Sequence, residues 1–71
     1  MSNKHHLPHS SSIQHIDFHE PDTLEVCFAS GGTHHFSECP KEIYEGLKNA
    51  QSPGSYFHMN VRRKYESKKI D

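Results

Sequence analysis

Leu24-Glu25-Val26-Cys27-Phe28-Ala29-Ser30-Gly31-Gly32-Thr33-His34-His35-Phe36 is the stretch that decides the fold. Leu24, Val26 and Phe28 alternate with Glu25 and Cys27, the period of a strand with one buried face. Gly31-Gly32 supplies the positive φ that a hairpin needs, and Thr33 to Phe36 alternates again. Pairing Phe28 with His34 and Val26 with Phe36 gathers the apolar side chains on one face. That register sets Cys27 opposite His35 on the other face.

Upstream, Ile13, Ile16 and Phe18 form an earlier strand whose alternation breaks between 13 and 16, the mark of a bulge. Glu20-Pro21-Asp22-Thr23 turns the chain into the next strand. Downstream the period changes. Pro40 opens a helix at its first position, in which Ile43, Leu47 and Ala50 face the sheet. Ser52-Pro53 starts a second helix with a capping residue followed by proline. Phe57, Val61 and Tyr65 lie four apart in it, which extends the expected helix over residues 53–66. The fold expected is α+β: a three-stranded antiparallel β-meander followed by two α-helices packed on one face, β-β-β-α-α. Residues 1–10 show no periodicity and read as a disordered N-terminal arm, 11–66 as the folded domain, and 67–71 as a frayed basic tail.

Composition bounds the rest. A chain of 71 residues has room for one domain, and a domain this small buries only about 60% of the surface its unfolded chain exposes. Just 31% of the residues are apolar, yet four Phe and three Tyr are too many for a disordered chain. No apolar run reaches the ~18 residues of a membrane span, and the polar, histidine-rich start does not read as a signal peptide. Cys27 and Cys39 are too few for a disulfide scaffold. A cytoplasmic protein with reduced thiols is expected.

Net charge is −1, but it is unevenly spread. Lys4, Lys41 and Lys48 face seven acids in residues 1–61, whereas Arg62, Arg63, Lys64, Lys68 and Lys69 face only Glu66 and Asp71 in residues 62–71. A basic end on a nearly neutral chain points to an anionic partner. On a helix over 53–66, Tyr56, Asn60 and Arg63 form one stripe beside the buried face, with Arg62 and His58 on the other side. An aromatic ring, an amide and a guanidinium together stack on bases and grip phosphates. The competing reading places Tyr56 at the core edge and gives the arginines to the helix dipole, with Arg62 paired to Glu66.

Cys27, His34, His35 and Cys39 fall close together in the sequence, but their spacing matches no zinc pattern and the strand sends His34 and His35 to opposite faces. No metal or other cofactor is therefore expected. Cys27 and His35 share a face without a pocket or a third orienting group. Paired carboxylates and a phosphate-binding glycine loop are lacking as well, so the chain reads as a non-enzyme.

The residues in order resemble a known family. Ser11-Ser12-Ile13, Leu24-x-Val26-x-Phe28, Gly31-Gly32, an aromatic-x-aromatic element, Pro40, Tyr44-x-x-Leu47-x-x-Ala50, Ser52-x-Gly54-x-Tyr56-Phe57 and Val61-Arg62-x-x-Tyr65 look like the KTSC domain. The likeness spans roughly residues 11–65; each fragment is weak, while the ordered set is specific. That family occurs as small standalone proteins and as a C-terminal appendage of some lysyl-tRNA synthetases, an association that implies RNA binding. The chain departs from the family where the central Tyr-x-Tyr is His34-His35-Phe36 and where an Asn after the second-helix Phe is His58. At Cys39 the family commonly has an aliphatic residue, which implies a small buried side chain.

The function expected is a small non-enzymatic binding domain for RNA or another nucleic acid. Arg62, Arg63, Lys64, Lys68 and Lys69 would contact phosphates, Asn60 would lie beside them, and Tyr56 with Phe36 would stack on bases. The alternative is a protein-interaction module docking through a sheet edge or an aromatic patch. A monomer or weak homodimer fits either reading.

Overall fold

Gly31 and Gly32 take φ angles of 100° and 96°, and they close the hairpin tighter than the alternation alone implies. The Phe28 N–H donates to the Gly32 carbonyl at 3.0 Å, and the Gly31 N–H donates to the Phe28 carbonyl at 3.0 Å. The computed structural model, which describes residues 4–70, orders its elements as β1 (His5–His6), β2 (Ile13–His19), β3 (Thr23–Phe28), β4 (Thr33–Phe36), α1 (Lys41–Asn49), α2 (Pro53–Asn60) and β5 (Ser67–Lys69). The fold is α+β with an antiparallel sheet, as the pattern requires. The sheet, however, has five strands in the order β1-β2-β3-β4-β5 rather than three.

Both added strands lie at the edges, where an arm and a tail were expected. β1 pairs with β2 through His5↔Ile16 and His6↔His15, and the Leu7 N–H donates to the Gln14 carbonyl at 3.0 Å. Leu7 is 7% exposed and joins the core. Burying a leucine contributes about 1.5–3 kcal/mol, enough to hold a short edge strand against fraying. At the other edge, β5 pairs with β4 through His34↔Lys69, His35↔Lys68 and Phe36↔Ser67. All three β5 side chains are exposed. What holds this strand is backbone pairing, since β4 would otherwise present a row of unpaired amides. The first three residues of the expected arm and the last of the expected tail lie outside the described residues.

The β2–β3 pairing contains the expected bulge: the register shifts between Ile13 and His15, leaving Gln14 as the extra residue. The β3–β4 pairing differs from expectation by two residues. Leu24 faces Phe36, Glu25 faces His35, Val26 faces His34 and Cys27 faces Thr33. A two-residue slip preserves which side chains share a face, so the buried set stands while every cross-strand partner changes.

Helices α1 and α2 carry the apolar face of the sheet. Pro40 is the N-cap residue of α1, one position before the helix proper, and Tyr44 and Leu47 are its buried residues. Ser52 caps α2 and Pro53 is at its start. The second helix stops at Asn60, well short of residue 66. Its Val61 and Arg62 N–H groups both donate to the Phe57 carbonyl, at 2.9 and 3.0 Å. Gly54, Ser55, His58 and Asn60 are weak helix formers, and pairing β5 with β4 offers the chain another set of hydrogen bonds. The Ser37 N–H donates to the Glu66 carbonyl at 3.1 Å, and the Ile70 N–H to the Thr33 carbonyl at 2.9 Å. Val61 is still fully buried at the end of the helix, and Tyr65 packs against the core from the turn that follows. Among the described residues no helix is long and apolar enough to cross a membrane.

Candidate nucleic-acid interface

The end of α2 and the turn beyond it place the basic residues on different parts of the surface. Tyr56 is half-buried against the core. A Cβ built on Gly46 of α1 would collide with its ring and hydroxyl, so Tyr56 serves as the contact between the two helices. The Asn60 side-chain amide donates to the Tyr56 carbonyl at 3.1 Å. Arg63 lies past the helix end, beside His58 and Met59, so helical spacing no longer sets it in line with Tyr56 and Asn60. Lys64 is exposed in the turn, where its N–H donates to the Val61 carbonyl at 3.1 Å. Lys68 and Lys69 alternate on β5. Paired with His35, Lys68 belongs to the open face of the sheet; paired with His34, Lys69 belongs to the helix-bearing face.

Arg62 lies at the loop end of the helix-bearing face, and Lys69 is on the strand beside it, paired with His34. There Phe28, His34, Phe36, Phe57, Arg62 and Ser67 line an open groove of about 260 Å³. Its rings contact one another edge-on: Phe28 and His34 at 5.4 Å between centroids, Phe28 and Phe57 at 5.3 Å, Phe36 and Phe57 at 5.4 Å. His34 stacks on Phe36 at 6.4 Å. Phe36 and Phe57 are buried, which corrects the expectation that Phe36 stacks on a ligand. Phe28 and His34 are half-buried and carry the accessible ring surface. Their position follows from the hairpin: both lie near the loop end of their strands, with Phe28 against Phe57 of α2. Neither was singled out as a site residue, because the expected register paired them with each other and gave them to the core.

On the open face of the sheet the true register brings other side chains together. Glu25 lies directly across from His35 and, on its other side, from Asp17; His19 is two residues beyond Asp17 on the same face. His19 Nε2 is 3.0 Å and His35 Nε2 is 2.8 Å from the same Glu25 oxygen, Oε1. Burial pushes the Glu25 carboxyl up, but hydrogen bonds from His35 and His19, and the charge of those rings, outweigh it and hold the group below the ordinary carboxylate value. His6 and His15 make a second ring pair on this face, at 5.7 Å. Burial, reinforced by Lys4, holds His15 below the ordinary imidazole value.

The cysteines are separated. Cys27 faces Thr33, not His35, and its thiol donates to Gln14 Oε1 at 3.4 Å. Cys39 is fully buried, as the family resemblance implies. Burial, with Asp22 nearby, pushes its thiol up to about 11, which leaves it protonated near neutrality.

A family model for the KTSC domain matches residues 9–65. The chain belongs to the KTSC domain family. Among curated proteins none matches it. A crystal structure of a KTSC domain protein from Yersinia pestis is similar over 100% of both chains, with a TM-score of 0.90 and 24% sequence identity; at that identity the likeness concerns the fold. The matched KTSC span, residues 9–65, omits His5–His6 and Ser67–Lys69. Lys68 and Lys69 thus lie beyond the family's sequence signature.

Proposed function

We propose that this KTSC domain is a non-enzymatic binding module for single-stranded RNA, in which a base enters the groove between Phe28, His34 and Arg62. The observation that carries this reading is the groove itself: accessible aromatic surface beside a guanidinium, with Lys69 on the same face of the neighbouring strand. Its volume, about 260 Å³, is at the small end for ligand pockets and suits a single planar group more than a folded ligand. Rings take any base by its π-face, while the arginine and lysine hold the flanking phosphates. Arg63, Lys64 and Lys68 extend the positive charge around the turn and over the strand edge. Asn60, tied to the Tyr56 carbonyl, and Tyr56, wedged on Gly46, support the platform without touching the ligand. The protein acts in the cytoplasm, in keeping with its two free thiols, as a monomer or weak homodimer.

Protein docking through an edge strand has less support. β5 carries Lys68 and Lys69 at the exposed edge, and lysine at an edge opposes the addition of another strand. Fluorescence anisotropy with a short labelled single-stranded RNA distinguishes the two. RNA binding weakens steeply as salt rises, with a slope set by the phosphates neutralised, and Arg62→Glu with Arg63→Glu lowers affinity at least about tenfold while the fold is kept. Unchanged affinity in that double variant, or binding indifferent to salt, contradicts the RNA reading.

A further inference from the structure

The open face of the sheet, away from the groove, holds the most concentrated set of ligating atoms among the described residues. His19, Glu25 and His35 each offer one such atom, and all of these lie within 4.8 Å of one another. Three adjacent strands supply a residue or its diagonal neighbour: His19 from β2, Glu25 from β3 and His35 from β4. Because β3 lies between β2 and β4, the sheet ladder sets the spacing of the three side chains, not a flexible loop. All three are partly exposed, with side-chain exposures of 40% for His19, 19% for Glu25 and 32% for His35, so an ion can reach them from solvent.

We infer that His19, Glu25 and His35 form a binding site for a divalent transition-metal ion of the zinc class. Two imidazole nitrogens and one carboxylate oxygen are a donor set that such ions prefer, whereas magnesium and calcium require oxygens. A tetrahedral zinc ion with bonds of about 2.0–2.2 Å separates its ligand atoms by about 3.3–3.6 Å. The Glu25 Oε1 to histidine Nε2 distances of 3.0 and 2.8 Å need to widen only by a few tenths of an ångström, within the reach of side-chain torsions on a solvent-facing sheet. To bind the ion, each ring presents an unprotonated Nε2 and keeps its proton on Nδ1, so the hydrogen bonds to Oε1 are exchanged for bonds to the cation, and any second ring proton leaves to solvent. Three protein ligands leave one coordination position for water.

Neighbouring charge acts in both directions. Asp17, buried directly across from Glu25, places a carboxylate oxygen 3.9 Å from His19 Nε2 and favours a cation. Lys68, paired with His35 on β5, opposes one. Its side chain is exposed and free to turn toward water. The set differs from Cys27, His34, His35 and Cys39, the grouping that sequence proximity offers. Of those four, only His35 belongs to it.

Zinc titration of the full chain at neutral pH, followed calorimetrically and by the NMR signals of the histidine rings, tests the assignment. His5, His6 and His9 are a second source of imidazole, so their triple alanine variant is titrated alongside. The first equivalent of zinc is expected to move the His19 and His35 ring signals. Glu25→Gln, which preserves shape, and His35→Ala are each expected to weaken binding by roughly tenfold or more. Magnesium in place of zinc is expected to leave the same ring signals unmoved. Zinc affinity unchanged in both Glu25→Gln and His35→Ala overturns the assignment, whatever the triple variant does, and so does a chain that takes up no zinc.

Discussion

Gly46 and Tyr56 show how a side chain with the chemistry of a ligand contact can belong to the packing instead. An alanine at a helical position normally gains close to 1 kcal/mol over glycine, yet here its methyl group meets the Tyr56 ring and hydroxyl. Gly46→Ala is expected to lower stability by about 1–3 kcal/mol, the usual cost of overpacking, and combining it with Tyr56→Ala is expected to remove most of the additional loss. Urea denaturation of the four chains in this cycle checks the coupling. At the groove, His34→Ala is expected to weaken RNA binding by about 1–3 kcal/mol, the value of one stacked base, with little change in stability. Anisotropy and thermal melting measure the two quantities. His15 adds a pH signature. Its ring titrates below the ordinary imidazole value of 6.5 because it is partly buried and lies near Lys4. The unfolded chain therefore takes up that proton first, and stability is lost as pH falls from the unfolded value toward the folded one. Replacing His15 with Gln is expected to make the decline below about pH 6.5 shallower, as followed by melting across that range.

At the level of elements, periodicity located β2, β3, β4 and α1 because each buries one face. Their alternation or helical repeat is the physical cause of that burial. The register of the central hairpin was not legible in the same way. Two consecutive glycines admit more than one loop length, and loops differing by two residues in register keep the same side chains inside. The buried set was therefore readable, whereas the Glu25–His35 partnership was hidden behind an expected Cys27–His35 pair. The edge strands left still less trace. His5–His6 and Ser67–Lys69 have neither alternation nor β-branched residues; their amides pair because a neighbouring strand presents free partners. Only Leu7 signalled the first of them. Leu7→Ala is expected to cost about 2–3 kcal/mol, toward the low end for a buried leucine, and to release β1. Amide hydrogen exchange checks this: protection is expected to fall at Leu7 and along the β1 side of β2, with the β3–β4 pairing unaffected.

Across the whole molecule, two faces of one sheet carry different chemistry. The helix-bearing face buries the core and ends in the Phe28–His34–Arg62 groove; the open face gathers histidines around Glu25. The charge asymmetry was legible in the sequence, as was the place of Arg62 in the basic end. The distribution of the other basic residues was not, because it depends on α2 stopping at Asn60 and on the chain returning to the sheet edge. On the proposed function, the groove takes a base of single-stranded RNA. A titration of the isotope-labelled chain with a short single-stranded RNA, read by the amide and aromatic signals, tests it most directly. Shifts are expected to concentrate at Phe28, His34, Arg62 and Lys69 and to shrink as salt is raised. Shifts confined to other surfaces, or none at all, would contradict it.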